Sequence, residues 1–380
     1  MFPKGKSPSD FCHVDSPPQQ RLSHFERLTL IGGEELERAL ALVATQFQGF
    51  AESDRFAGFE LGALREAAQF YASPEFFDDP ASFFEPPSQA PTVKTVLIHG
   101  LRDGGIVDMS FASSYRARYP GYAQKLERHS ENQTVYARMW RHEQGQRPVI
   151  IALHGWSMGD QRINSVAFLP GVFYKLGFDV VLVELPFHGR RAPQEGAPGS
   201  HFPTADVIGT NEAMGQVICD LRSLRLHLES DGRRDIGWIG VSLGAYVGCL
   251  WSGLDRLAFA VPIVPLCSLA ELVWKSMRRV QNFRALVKQG LSVELIRQAF
   301  YVHSPLSHSL KMEPQRGFIV GGIGDKMVPA AQVKMLASYW QGATLKWFRG
   351  GHAASLKRTR AFEAILSFLS TLFSPLKVPS

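Results

Sequence analysis

The chain has 380 residues, 45% of them hydrophobic, and a formal net charge of +6 from 41 basic and 35 acidic side chains. That suffices for a substantial core in one or two domains. The charge is spread along the chain without a clustered basic patch, which argues against a nucleic-acid partner. Cys12, Cys219, Cys249 and Cys267 lie far apart with no Cys-x-x-Cys pair. This excludes a zinc ribbon or disulfide framework and fits a reducing compartment. The first ten residues lack the apolar run of a secretory signal. The most apolar stretch, 257–272, is cut by Pro262, Pro265 and Glu271 and is too short to span a bilayer. The expectation is a soluble, cytoplasmic protein with no membrane span.

Residues 1–20 are rich in Pro, Ser and Gln and read as loose chain. From residue 34, Leu36, Leu40, Val43, Phe47 and Phe50 recur at helical spacing and predict an amphipathic helix. A second helix is expected over 59–71, then a connector punctuated by Pro74, Pro80, Pro86, Pro87 and Pro91. Strands are expected over 93–99 and 134–140, the latter alternating around Val135, Ala137 and Met139. The run 148–153 is continuously apolar, as a strand covered on both faces requires. A helix over 166–176, a strand over 178–185 and a long helix over 206–229 follow. Later strands are expected over 235–239, 258–264, 317–321 and 344–348, with helices over 330–340 and 354–373. This alternation predicts a doubly wound, mostly parallel sheet. It breaks between Pro265 and Pro314 into an all-helical insertion, a candidate lid.

The chemistry concentrates in Gly240-Val241-Ser242-Leu243-Gly244, set between an apolar strand and a helix-compatible stretch. Strand, glycine-bracketed serine and helix form the layout of a nucleophile elbow, a turn so tight that its central side chain projects outward. A hydroxyl in that position needs a base and an acid to activate it. Asp325, in Gly-Asp-Lys-Met-Val-Pro just beyond the strand at 317–321, is the candidate acid; Glu271 is the fallback. His352 is the only histidine after Asp325, so the chain order Ser, Asp, His selects it as base. Each also has a structural alternative, Asp325 as a turn residue and His352 as a helix cap. The loop Leu153-His154-Gly155-Trp156-Ser157-Met158 closes the strand at 148–153 and is the candidate oxyanion hole. One donor is the amide of Leu243; the other is that of Trp156, with Ser157 as second choice. His154 and His188 are candidate pocket residues, both readable as loop-shaping side chains.

From Val93 to the C-terminus the chain resembles the α/β-hydrolase superfamily. The resemblance rests on His154-Gly155, Gly240-Val-Ser-Leu-Gly244, Gly324-Asp325 with Val328-Pro329, and Gly351-His352. Pro186-Phe-His-Gly-Arg190 resembles the loop many members carry after the fourth strand. The tail around Gly350-Gly-His352 resembles the subgroup of α/β-hydrolase-domain-containing proteins numbered eighteen. Residues 1–92 match no pattern of the superfamily and form a helical N-terminal extension to a hydrolase domain over 93–380, with the lid at 266–314. The resemblance implies a serine hydrolase acting through Ser242, His352 and Asp325, with no metal or organic cofactor.

The insertion carries Trp274, Met277, Val280, Phe283 and Leu286 among Arg278, Arg279, Arg284 and Lys288. Its apolar face either covers the core or lines an acyl pocket with a basic rim, and Trp274 and Met277 are the candidate substrate contacts. The expected partner is a small-molecule or lipid-like ester or thioester with an apolar portion. Two other functions fit the same residues: a partner-docking protein on a hydrolase scaffold, and an acyltransferase in which an alcohol outcompetes water.

Overall fold

The computed structural model describes residues 59–194, 199–350 and 359–373. The helix expected over 34–50 and the candidate base His352 lie outside these residues. The described residues form one nine-stranded sheet. Its strands are β1 Lys94–Leu101, β2 Gly104–Ala112, β3 Thr134–His142, β4 Val149–Leu153, β5 Asp179–Val183, β6 Ile236–Val241, β7 Ala260–Ile263, β8 Phe318–Gly322 and β9 Thr344–Phe348. They lie in the order β1-β2-β3-β5-β4-β6-β7-β8-β9. The pairs from β1 to β5 are antiparallel, and those from β5 through β4 to β9 are parallel. The sheet is thus mostly parallel, as the alternating pattern predicts.

Helices cover both faces of the sheet, which explains the unbroken apolar strands. In β4, Val149, Ile151 and Leu153 enter one core, while Ile150 and Ala152 enter the other. β5 and β6 divide their side chains in the same way. Strand periodicity of two therefore leaves no residue for solvent. The first core is covered by α1 Leu61–Tyr71, α4 Val207–Ser230, α5 Leu243–Leu254, the insertion helices α6 Leu269–Met277, α7 Phe283–Lys288 and α8 Val293–Ala299, and α9 Ala330–Tyr339. The second is covered by α2 Gln161–Phe168, α3 Pro170–Lys175 and α10 Thr359–Leu372.

Two features depart from the sequence expectation. β2 fills a region to which the sequence analysis assigns no element, although Val107, Met109 and Phe111 alternate there and point into the first core. The helix expected over 166–176 is two short helices, broken at Leu169 in left-handed backbone (φ 49°). Pro170 is the cause, because a proline ring crowds the preceding residue out of right-handed helix.

α1 is continuous with the first core: Leu64, Ala67 and Tyr71 are fully buried, and the helix packs on α8 and α4. Glu212 of α4 secures it, accepting hydrogen bonds from the Tyr71 and Tyr115 hydroxyls at 2.8 and 2.9 Å. The amides of Arg118 and Tyr119 donate to the same carboxylate at 2.8 and 3.1 Å. Burial raises the pKa of this carboxyl, and the donors oppose the rise. Among the described residues no helix is long and apolar enough to cross a membrane.

Candidate active site

The strand order reverses around β4, with β5 on one side and β6 on the other. Ligands in open α/β sheets gather at the carboxyl ends of strands at such a point. The β4 loop carries His154 to Ser157, and Ser242 follows β6.

Ser242 sits between β6 and α5 with φ 55° and ψ −112°, outside the regions comfortable for a side chain other than glycine. Its amide donates to Ile263 O at 3.0 Å, and its carbonyl accepts from Tyr246 N at 3.0 Å. The turn is held by β7 on one side and by α5 on the other. The bracketing glycines are steric requirements. A Cβ on Gly240 would lie 2.6 Å from Gly244 O. A Cβ on Gly244 would lie 2.0 Å from Leu153 O and 2.6 Å from His154 O. Gly244 therefore lets the head of α5 rest directly on the end of β4, placing the elbow beside the candidate oxyanion loop. Leu243 opens α5, where helix amides have no partner within the helix and favour negative charge.

The β4 loop is braced from below. His154 is fully buried; its Nδ1 lies 2.8 Å from Gly155 O, and its Nε2 accepts from Leu185 N at 3.0 Å. Both nitrogens are thereby engaged with backbone, and the proton sits on Nδ1. Burial pushes its pKa down to about 4, so the ring is neutral. The Trp156 indole donates to Gly199 O at 2.8 Å, and Ser157 adopts a positive φ of 64°. His188 is also fully buried, its Nδ1 2.8 Å from Pro186 O and its ring edge-on to His154. Arg191 holds the His188 loop, pairing with buried Asp220 at 2.8 Å and donating to Glu184 O and Asn132 O at 3.1 and 2.9 Å.

Asp325 follows β8 and is 8% exposed. Its Oδ1 accepts from the amides of Met327 and Val328, both at 2.9 Å. Gly324 N donates to Gly350 O at 2.9 Å, and Ile323 N donates to Phe348 O at 3.0 Å. The acid loop thus runs alongside the chain leaving β9, up to two residues before His352. Glu271, the fallback acid, lies on α6 and is paired with Arg297 of α8.

A cavity of about 20 Å³ lies at the elbow, lined by Ser242, Leu243, Trp156, Pro203, Leu266, Leu269, Leu272, Met327 and Val328. It joins the serine, both candidate oxyanion residues and the two residues whose amides hold Asp325. Trp274 and Met277 are placed elsewhere: Trp274 packs edge-on against Phe283, and Met277 is fully buried in the first core. Most of the insertion's apolar face covers the core, and only Leu266, Leu269 and Leu272 reach the cavity. Sequence reading missed these leucines, Pro203, Met327 and Val328. The spacing of three between the leucines was the one available signal. Among the described residues no group of three His, Cys, Asp or Glu side chains is arranged to hold a metal ion.

No family model and no curated protein matches the sequence. Solved structures do. Acetyl xylan esterase 1 from Thermoanaerobacterium sp. JW/SL YS485 superposes with a TM-score of 0.55 at 16% identity, covering 83% of this chain and 99% of that one. Acetyl xylan esterase from Paenibacillus sp. R4 gives 0.55 at 16% identity, with 82% and 99% covered. The likeness is one of fold: a mostly parallel sheet with helices on both faces, in which Ser242 stands at the turn between β6 and α5.

Proposed function

We propose that the protein is a serine hydrolase of carboxylic esters or thioesters with an apolar acyl portion, acting through Ser242, His352 and Asp325. The observation that carries this reading is Ser242 itself, held at positive φ at the head of α5 and facing an apolar cavity walled by the Asp325 turn. The hydrogen bond from Gly324 to Gly350 supports His352 as base.

In this mechanism Ser242 Oγ attacks the acyl carbon while the His352 imidazole takes its proton, and Asp325 orients the ring and stabilises its cation. The amides of Leu243 and Trp156 (Ser157 in second place) receive the developing oxyanion, each contributing on the order of 10²–10³ in rate. Collapse breaks the acyl–oxygen or acyl–sulfur bond, and the imidazolium protonates the departing alcohol or thiol. Water then gives a proton to His352 and attacks the acyl-enzyme, freeing the acid. Neither a metal nor an organic cofactor takes part. Residues 93–380 carry the chemistry, and His154 and His188 support it from behind the cavity wall. Cys219, Cys249 and Cys267 are free and buried, in keeping with a reducing, cytoplasmic setting.

A serine-directed fluorophosphonate should label the protein, and Ser242→Ala should remove both labelling and ester hydrolysis, lowering kcat by about 10⁶. Equal labelling of the two proteins would refute the assignment.

A further inference from the structure

We propose that Gln332 is a positioning residue of the ester site. Its side chain joins the insertion wall of the cavity to the wall carrying the acid turn, and substrate binding beside Ser242 depends on that join. The inference rests on the serine-hydrolase reading above and deepens it.

The first ground is the separate origin of the two walls. Leu266, Leu269 and Leu272 follow β7, whereas Met327 and Val328 follow β8. The ladder between these strands is short: Ile263 pairs with Val320, Ala260 bridges to Gly317, and Val264 N donates to Val320 O at 2.8 Å. β7 ends at Ile263 and β8 at Gly322, so the ladder does not extend to either wall.

The second ground is that one buried side chain bridges the segments where the ladder stops. Gln332, 6% exposed, accepts from the amides of Cys267 and Ser268 at 2.9 and 2.7 Å and donates to Ser268 O at 3.2 Å. A primary amide suits this task, since its oxygen accepts twice while its nitrogen donates. The gripped residues lie between Leu266 and Leu269. The Ser268 hydroxyl accepts from Glu271 N at 3.3 Å and caps α6, so the grip also fixes the start of the helix that carries Leu269 and Leu272. At its other end Gln332 belongs to the first turn of α9, whose N-cap is Pro329, and its backbone amide donates to Pro329 O at 2.8 Å. Pro329 directly follows Val328, whose amide donates to Asp325 Oδ1 at 2.9 Å. A continuous path thus runs from the candidate acid through Val328 and Gln332 to Ser268 and the insertion wall.

The two ends of this path are not equally secured. The acid turn has bonds of its own, from Gly324 N to Gly350 O at 2.9 Å and from Ile323 N to Phe348 O at 3.0 Å. The other tie from α6 to this turn, Lys275 Nζ to Lys326 O at 3.2 Å, is exposed and competes with water. Loss of the Gln332 amide therefore shifts the insertion wall and leaves the acid in place. Binding should suffer more than turnover.

The test uses the full chain and p-nitrophenyl acetate, with active sites titrated by a small fluorophosphonate so that rates refer to competent sites. Gln332→Met keeps the reach of the side chain and removes all three bonds. KM should rise about 10-fold with kcat per titrated site within about threefold of native, the pattern of lost binding without lost chemistry. Gln332→Asn withdraws the amide by one methylene and should raise KM in the same direction; it decides the matter if Gln332→Met does not fold. A merely structural role would lower the melting temperature and the titrated fraction and leave KM per competent site unchanged. That result, or a fall in kcat with KM unmoved, overturns the inference. Absence of labelling at Ser242 in the native protein would instead strike at the hydrolase reading, so the two failures are distinguishable.

Discussion

Gly244→Ala probes the junction on which the site depends. The added Cβ would lie 2.0 Å from Leu153 O, 2.4 Å from Leu153 C and 2.6 Å from His154 O, all backbone atoms at the end of β4. Reaching 3.0 Å, below which real Cβ contacts essentially never fall, requires the head of α5 and β4 to part by about 1 Å. No side chain can swing away to absorb that strain. The cost should therefore fall at the upper end for overpacking, ~3 kcal/mol. At roughly 2–4 °C per kcal/mol, the melting temperature should drop by about 6–12 °C. The same movement carries Leu243 away from Trp156, and a misplacement of about 1 Å can cost 10²-fold in rate. The assay pairs thermal melting with p-nitrophenyl acetate kinetics. Gly62→Ala serves as the control, because a Cβ there meets nothing within 4 Å in the first turn of α1. If Gly244→Ala melts within a degree of the native protein and keeps its activity within twofold, the close approach of elbow and oxyanion loop is wrong.

Acid should destabilise the fold through its buried imidazoles. Burial pushes His154 down to about 4 and His303 down to about 3, from an ordinary value near ~6.5. The unfolded chain then binds more protons than the folded one between those values. The stabilisation is complete above pH ~6.5, is lost as pH falls toward 4 and 3, and amounts to on the order of 3 kcal/mol for His154. Urea midpoints from pH 7 to 4 should fall less steeply in His303→Asn than in the native protein; parallel slopes would contradict this account. Arg191→Ala should cost about 3–5 kcal/mol, because it leaves the fully buried Asp220 carboxylate without its guanidinium partner. A loss below ~1 kcal/mol in chemical denaturation would show that this pair does not hold the His188 loop.

What could be read from sequence divides along a physical line. Strand and helix identities follow from local periodicity, so β4, β5, β6 and α4 emerge from their own residues. The elbow was legible because its chemistry is local: five consecutive residues contain both the serine and the glycines its turn demands. The place of Asp325 just after a strand was legible, although nothing in the sequence showed its carboxylate accepting from Met327 and Val328. β2 was overlooked despite its alternation, and its place becomes evident only where β1 and β3 pair on either side of it. The break at Leu169 was encoded in Leu-Pro and hidden by the apolar residues on either side.

Pocket size belongs to the other class. It depends on how far the insertion stands from the sheet, and that distance is set by Gln332 reaching Cys267 and Ser268, sixty-five and sixty-four positions away in sequence. No periodicity announces such a clamp. Trp274 and Met277 stand out in the sequence as substrate contacts because both are large apolar side chains in the insertion. Burial gives the large side chains a different role. Met277 fills the core and Trp274 packs on Phe283, which holds α6 in place over the serine. The smaller leucines, Leu269 and Leu272 on α6 and Leu266 just before its cap, are what faces the cavity beside Ser242. An insertion rich in apolar residues can thus present only a small face to the cavity, because most of its apolar surface is consumed in holding the rest still.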